Sequence, residues 1–297
     1  MIGTKGDYEH KRILSKILIN GSLDQNPRPK YADGAPAHTI SYNGEMCQYD
    51  LSKGEFPIIT LRPIATKFAI GEILWIYQDQ TSDLDILRNK YGITWWDDWE
   101  IENSRSIGQV YGNTVKRYDL INRLFDDIKK DPDGRRHIMS LWQENDFLEP
   151  HGLKPCAFLT LWNVRHEKRS VLNNLNRDID YLDMMLVIRS SDYTLAGVIN
   201  QVQYIVLQYL VARHLGYTPG VFTCVFNNIQ IYDRHVEAAK ELISREPIDC
   251  KPYVWLNPDK TNFYDFSIDD IKIKGYPMEE IKKKNPQINT LKENIGI

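Results

Sequence analysis

Cys156 sits where the turn Lys154-Pro155 feeds an apolar run, Ala157-Phe158-Leu159-Thr160-Leu161-Trp162. A cysteine before a buried strand is more often a small core residue than a nucleophile. The residues farther along the chain change that balance. Ile188-Arg189-Ser190-Ser191-Asp192 offers a cation and hydroxyls, Asn200 an amide, and Tyr232 a phenol. Upstream stand the adjacent Arg135 and Arg136. Paired arginines at a loop–strand junction are usually surface charge, but guanidinium forks also match phosphate oxygens. A thiol, an amide and several guanidiniums together suit covalent chemistry on a small anionic ligand.

Elements are needed to bring these groups together. The chain has 297 residues and a formal net charge of −3, enough length for one large domain or two ordinary ones. The mild acidity argues against a general nucleic-acid binder. No apolar run reaches membrane-spanning length, and Met1-Ile2-Gly3-Thr4-Lys5 opens no secretory leader. Cys47, Cys156, Cys224 and Cys250 are scattered, without CxxC pairs or a Cys/His cluster, so neither a disulfide framework nor a zinc site is expected. A cytoplasmic, reducing compartment follows as the expectation.

Helical spacing predicts helices over residues 7–21, 66–78, 118–130, 196–215 and roughly 232–244. The 196–215 helix is apolar nearly all round, so it should be buried and central. Strands are expected over 137–142, from Cys156 onward, over 181–189 and over 221–226. Between residues 37 and 61, Asn43-Gly44 signals a hairpin, with a further strand at Phe56–Leu61. The C-terminal region reads as β-like around 263–266 and 271–273. Residues 165–180 read as an extended polar connection. No linker or repeat divides the chain, so one α+β domain spanning 1–297 is expected.

Other residues attract notice. Arg28, between Pro27 and Pro29, lies on a stiff loop that could aim a guanidinium at an anion, although a solvated arginine is the plainer outcome. Glu72 falls within the apolar Ile70–Trp75 stretch; pointing inward, it would need a partner or a raised pKa. Trp95, Trp96 and Trp99 crowd one segment, and indoles make platforms for flat heterocycles. Gly108 and Gly112 allow close backbone approach around Tyr111.

In their order along the chain these segments resemble the folate-dependent thymidylate synthases. Asp33–Thr39, Phe56-Pro57-Ile58-Ile59-Thr60, Glu72-Ile73-Leu74-Trp75, Trp96-Asp97-Asp98-Trp99 and Val110-Tyr111-Gly112 carry the N-terminal part of the likeness. Arg135-Arg136, Pro155-Cys156, Arg189–Asp192, Asn200 and Ile231-Tyr232 carry the rest. Each motif alone is weak, and their joint order is specific. The resemblance implies a single-domain α+β fold with a mixed β-sheet at a dimer interface and a long buried central helix. It implies reductive methylation of dUMP to dTMP by 5,10-methylenetetrahydrofolate, a co-substrate, with no metal, nicotinamide or flavin.

The resemblance also assigns roles. Cys156 adds to carbon 6 of the uracil ring, making carbon 5 a nucleophile. Arg189 favours the thiolate. Asn200 reads the N3–H and O4 edge. Glu72 organises proton transfer near O4 through water, and Tyr111 helps remove the carbon-5 proton. Arg28, Arg189, Ser190 and Ser191 serve the dUMP end from one subunit, and Arg135 and Arg136 act across a homodimer interface. Asp192, Gln230 and Tyr232 complete the nucleotide contacts. Trp96, Trp99, Asp192 and Gly296 line or close the folate side. No membrane or nucleic-acid partner is required.

The chain departs from the family pattern in places. Gln230 stands where histidine is usual, Asn227-Asn228 replaces Gly-Asp, Leu61-Arg62 replaces Thr-Lys, and Leu161 replaces glutamine. Ala196-Gly197-Val198-Ile199 replaces a Gly-x-Pro-Phe stretch, the 165–180 connection is longer than in many members, and the tail Leu291–Ile297 matches only loosely. Two rivals stand beside the main reading: a pyrimidine-nucleotide (dUMP or dCMP) hydroxymethylase on the same fold, and a non-catalytic nucleotide- or RNA-binding paralogue. Asn200 favours uracil over cytosine, and the surviving thiol disfavours a mere binding module.

Overall fold

The computed structural model describes residues 2–168 and 178–293, with the side chains of 292 and 293 excepted. Helix α1 (Lys5–Asn20) starts on a capping box: the Asp7 backbone N–H donates to Thr4 Oγ1, and Asp7 Oδ2 accepts from the Thr4 backbone N–H. The buried Asp7 also accepts from Thr60 N–H at 2.5 Å, tying the helix to the Phe56–Leu61 segment. Ile13, Leu14 and Ile17 are buried, as their spacing predicts.

Strand β1 (Ser22–Leu23) edges a six-stranded sheet, followed in space by β2 (Thr39–Asp50). Here the expected hairpin is absent. Asn43-Gly44 lies inside one continuous strand that pairs antiparallel with β6 (Thr218–Tyr232), from Thr39 opposite Tyr232 to Asp50 opposite Val221. A long partner strand outweighs a local turn signal, and Gly44 supplies the positive φ of 76° that the strand needs there. Phe56–Leu61 is extended but joins no strand; Ile58 and Ile59 carbonyls are taken by Thr4 and Tyr276 hydroxyls instead.

Helices α2 (Thr66–Tyr77), α3 (Leu84–Tyr91), α4 (Gly112–Arg117) and α5 (Leu120–Lys130) follow, then the short strand β3 (Ile138–Ser140). Strand β4 (Ala157–Glu167) begins immediately after Cys156, and β5 (Ile179–Asp192) returns beside it. Much of the expected 165–180 connection is therefore strand at both ends, because the pairing of Glu167 with Ile179 continues the ladder. Residues 169–177 lie outside the described residues.

The sheet order is β1-β2-β6-β5-β4-β3. Only β5 and β6 run parallel, so the sheet is mixed. The crossover between them is α6 (Ala196–Leu215), the predicted central helix, with Val202, Ile205, Val206, Leu207 and Leu210 all inaccessible. After β6 the chain makes a single tight turn at Asp233–His235 before α7 (Val236–Ser244), so the expected helix at 232 starts later: Tyr232 is still paired in the sheet. In the C-terminal region, β7 (Tyr253–Leu256) pairs with β8 (Ile271–Lys274). The expected strand at 263–266 is instead a tight turn, in which Asn262 Oδ1 accepts from Tyr264 N–H and Phe263 and Phe266 plug the core. Helices α8 (Met278–Lys284) and α9 (Thr290–Glu293) end the described chain.

The two faces of the sheet differ. Thr160, Leu186, Cys224 and Cys47 form one cross-strand row, all fully buried beneath the helices. One residue along, Leu159, Val187, Val225 and Met46 form the next row on the opposite face. Its side chains are half-buried, and Met46 is 53% exposed. Leu161, Met185 and Thr223 make a further row on that face, with Met185 37% exposed. Leu161, a departure from the family pattern, thus enlarges an apolar sheet face.

Candidate active site

Three hydrogen bonds hold Cys156 and the proline before it. Its N–H donates to Tyr111 Oη at 3.1 Å, its carbonyl accepts from Arg189 N–H at 2.9 Å, and Arg189 Nε donates to Pro155 O at 2.9 Å. Arg189 also donates to Lys154 O at 2.7 Å, so its guanidinium clamps the turn that presents the thiol. Burial pushes the thiol pKa up, and the Arg189 charge opposes that shift. The expected direction of the Arg189 effect is present, but desolvation outweighs it in the unliganded chain. Cys47 and Cys224 are raised too, chiefly by burial.

Tyr111 adopts φ 49° and ψ −112°, a strained backbone for a tyrosine. Gly112 explains how this is tolerated: a Cβ there would lie 2.1 Å from the Thr81 carbonyl oxygen. The chain can pass Thr81 only as glycine, and this tight passage accompanies the turn that brings the Tyr111 hydroxyl beneath Cys156. Trp96 packs edge-on against Tyr111 at 5.0 Å and against Trp99 at 5.6 Å.

Glu72 points inward. It lies on α2 and is buried, and burial pushes its pKa up to about 7. Trp95 Nε1 donates to its carboxylate at 2.5 Å. Gln203 and Trp96 lower the pKa more weakly from less close positions. Trp96 Nε1 is buried and makes no hydrogen bond among the described residues. Asn200 Nδ2 donates to Gln203 Oε1 at 3.0 Å. Trp95 stands out from sequence only as a member of the tryptophan cluster, with no role toward Glu72, and Gln203 does not stand out at all. Gln203 is three residues from Asn200, on the same face of α6, and that spacing is the signal that could have found it.

Along the parallel pair, Asp192 lies opposite Gln230, and Ser190 Oγ donates to Gln230 Oε1 at 3.2 Å. Ser191 is buried, with its Oγ unpartnered, beneath the start of α6 near Gly197. Asp192 Oδ1 accepts from Thr194 N–H at 3.0 Å and Thr194 Oγ1 at 2.5 Å, shaping the turn into α6. Its Oδ2 lies 3.9 Å from the buried His235. Arg62 does not reach outward: it is buried and donates to the carbonyls of Thr194 and Leu195 at 3.0 and 2.8 Å. It therefore braces the same turn.

The loop bearing Arg28 is brought to Tyr232, because Tyr31 and Ala37 pack on the Tyr232 ring and the Tyr31 hydroxyl donates to Asp233. Arg28, Arg135 and Arg136 are exposed, and none has an ion pair among the described residues. Arg135 and Arg136 are not brought to Cys156. Ile138 pairs with Leu161, which places Arg136 at the level of Asn163, seven residues beyond Cys156 along the strand direction. At the usual rise of a strand that is roughly 20 Å. Gly296 lies outside the described residues. No group of three His, Cys, Asp or Glu side chains suited to a metal occurs among the described residues, and no described helix is long and apolar enough to cross a membrane.

Comparison with known proteins gives one answer. The family profile described as thymidylate synthase matches residues 8–287. A thymidylate synthase of Streptococcus thermophilus is 45% identical over 281 residues, covering 92% of this chain and 95% of its own. That of Streptococcus gordonii is 45% identical over 274 residues, with the same coverage. The thermostable thymidylate synthase A of Bacillus subtilis superposes with a TM-score of 0.81 at 33% identity, over 92% of this chain and 96% of that one.

Proposed function

The chain belongs to the thymidylate synthase family, and from that premise we infer that it is a methyltransferase that converts dUMP to dTMP. Methylenetetrahydrofolate supplies the carbon and the hydride and leaves as dihydrofolate. The observation that carries the chemistry is the Cys156–Tyr111–Arg189 arrangement, a thiol fixed by a phenol below and a guanidinium clamp beside it.

In this reading Cys156 sulfur bonds to ring carbon 6, and the Arg189 charge favours the thiolate that must attack. Carbon 5 then bonds to the one-carbon unit and loses its proton toward the Tyr111 hydroxyl. The bond from that methylene to the folate nitrogen breaks, and the exocyclic methylene accepts hydride from the released tetrahydrofolate to become the methyl group, as the bond from carbon 6 to the Cys156 sulfur breaks. Glu72, with a pKa near neutrality, can hold or release a proton at the working pH. Trp96 and Trp99 offer the flat folate a wall beside Tyr111. Gln230, already bonded to Ser190, takes the place of histidine at the ribose side together with Tyr232.

We assign the phosphate to Arg28, Arg189 and Ser190 of one chain and to Arg135 and Arg136 of a second copy. The long separation of Arg136 from its own Cys156 supports this. So does the apolar sheet face carrying Leu159, Leu161, Met185 and Val187, a surface suited to a homodimer interface. We place the enzyme in the cytoplasm, where its four free cysteines stay reduced.

The test is product analysis. Purified protein, dUMP and methylenetetrahydrofolate should give dihydrofolate absorbance and a nucleotide of thymidylate mass. A hydroxymethyl nucleotide with tetrahydrofolate would select the rival enzyme and overturn the assignment.

A further inference from the structure

We propose that Gln203 fixes which way round the Asn200 amide faces the substrate ring, and so sets the preference for a uracil over a cytosine base. The proposal rests on the reading above in which Asn200 contacts the base. Asn200 and Gln203 share one face of α6, and Asn200 Nδ2 donates to Gln203 Oε1 at 3.0 Å. Gln203 is 2% exposed, so water is a poor substitute for either of its amide partners.

The polarity of this contact is set from its inner end. Glu72 is a carboxylate facing Trp95, Gln203 and Trp96, of which both indoles can only donate. Once ionised, that carboxylate accepts only, and with Gln203 Oε1 taken by Asn200 the group left to meet it is the Gln203 amide nitrogen. Held so, Gln203 Oε1 faces Asn200, which must answer with an N–H. Asn200 then presents its oxygen and its second N–H outward. This edge matches the N3–H donor and O4 acceptor of uracil. Cytosine presents the reverse pattern, an N3 acceptor and an amino donor. To read it, the Asn200 amide must turn over, which sets its oxygen against Gln203 Oε1, two acceptors in a dry site. Recognition is thus written by a three-residue chain from Glu72 through Gln203 to Asn200, of which only the last member touches the base.

Three variants test this: Gln203→Met, Gln203→Glu and, as control, Asn200→Asp. For each, dissociation constants for dUMP and dCMP are measured by calorimetry, with the pH profile of kcat for dUMP. Tyr111 and Tyr204 are the other titratable groups near Glu72, and burial holds both well above their ordinary range, so the near-neutral limb reports Glu72. Gln203→Met should shrink the preference for dUMP over dCMP by about tenfold or more, because the amide is free to turn. It should also move the Glu72 limb to higher pH through loss of a donor. Gln203→Glu keeps an acceptor for Asn200, so it should retain the preference while moving the limb upward. A folded Gln203→Met that keeps the wild-type preference and limb overturns the proposal. If that variant does not fold, loss of preference in folded Gln203→Glu overturns it. An unchanged preference in Asn200→Asp would instead remove the reading of Asn200 as the base contact, and the proposal with it.

Discussion

Glu72 and Arg136 are both charged groups of the candidate site, and the fold treats them in opposite ways. Glu72 is buried within α2, with an indole donor at 2.5 Å and Gln203 and Asn200 beyond it. Its surroundings are complete within one chain. Arg136 is exposed, lacks an ion pair among the described residues, and stands roughly 20 Å of strand from the thiol it should serve. The difference separates two jobs. Proton handling and base reading need dry, rigid surroundings, which a single core supplies. Phosphate binding needs accessible guanidiniums, and under the proposed function Arg135 and Arg136 serve a neighbouring copy.

The largest effect should come from the complete half. Cys156→Ala should lower turnover by several orders of magnitude while dUMP binding, read by equilibrium dialysis, stays measurable. Turnover at the wild-type level would remove Cys156 as the nucleophile. Glu72→Gln should lower kcat by roughly a hundredfold or more with a smaller change in KM for dUMP. An equal loss in binding would make Glu72 a substrate contact rather than a proton-handling group. For the incomplete half, replacing Arg135 and Arg136 together by alanine should raise KM for dUMP roughly tenfold to hundredfold, since charge-assisted hydrogen bonds are lost. Steady-state kinetics with a neutral nucleoside, already lacking phosphate, should show little further loss. Met185→Lys should weaken self-association, seen as monomer by sedimentation at micromolar protein, if the open sheet face is the interface.

The smallest effect is on stability. Burial raises the Glu72 pKa from 4.5 to about 7. Below the lower value both folded and unfolded chains hold the proton, and nothing is lost. Between the two, the unfolded chain releases a proton that the folded chain keeps, so stability falls as pH rises. Above about 7 the penalty is full and constant. Glu72→Gln should therefore melt higher than the wild type by a wider margin at pH 8 than at pH 5, by a few degrees. A margin independent of pH would mean that Glu72 titrates normally.

The same contrast explains what could be read in the sequence. The α6 helix was legible because its apolar residues leave only one environment for it. The order of motifs around Cys156, Arg189 and Asn200 was legible because family-wide chemistry fixes residue types. The strand through Asn43-Gly44 was not, since its pairing with β6 joins residues more than half the chain apart. Nor was the turn at Phe263–Asp265, where aromatic residues of strand character serve as plugs in the core. Gln203, and the contact of Trp95 with Glu72, stayed hidden for a related reason: which of several adjacent polar groups meets a buried carboxylate depends on tertiary geometry. Arg62, which with Leu61 departs from the family's Thr-Lys, proves to be a brace, because its guanidinium donates to two backbone carbonyls.

In the proposed homodimer one chain completes the thiol half of each site and another supplies the paired arginines. The direct measurement uses the inactive Cys156→Ala chain and the weakly binding Arg135→Ala, Arg136→Ala double variant, assayed apart and then co-expressed in equal amounts. Random pairing in a twofold dimer puts one intact site in half of the dimers, so the mixture should recover about a quarter of wild-type activity at low dUMP. Activity no higher than the mean of the two separate variants would contradict the account and confine the arginines to their own chain.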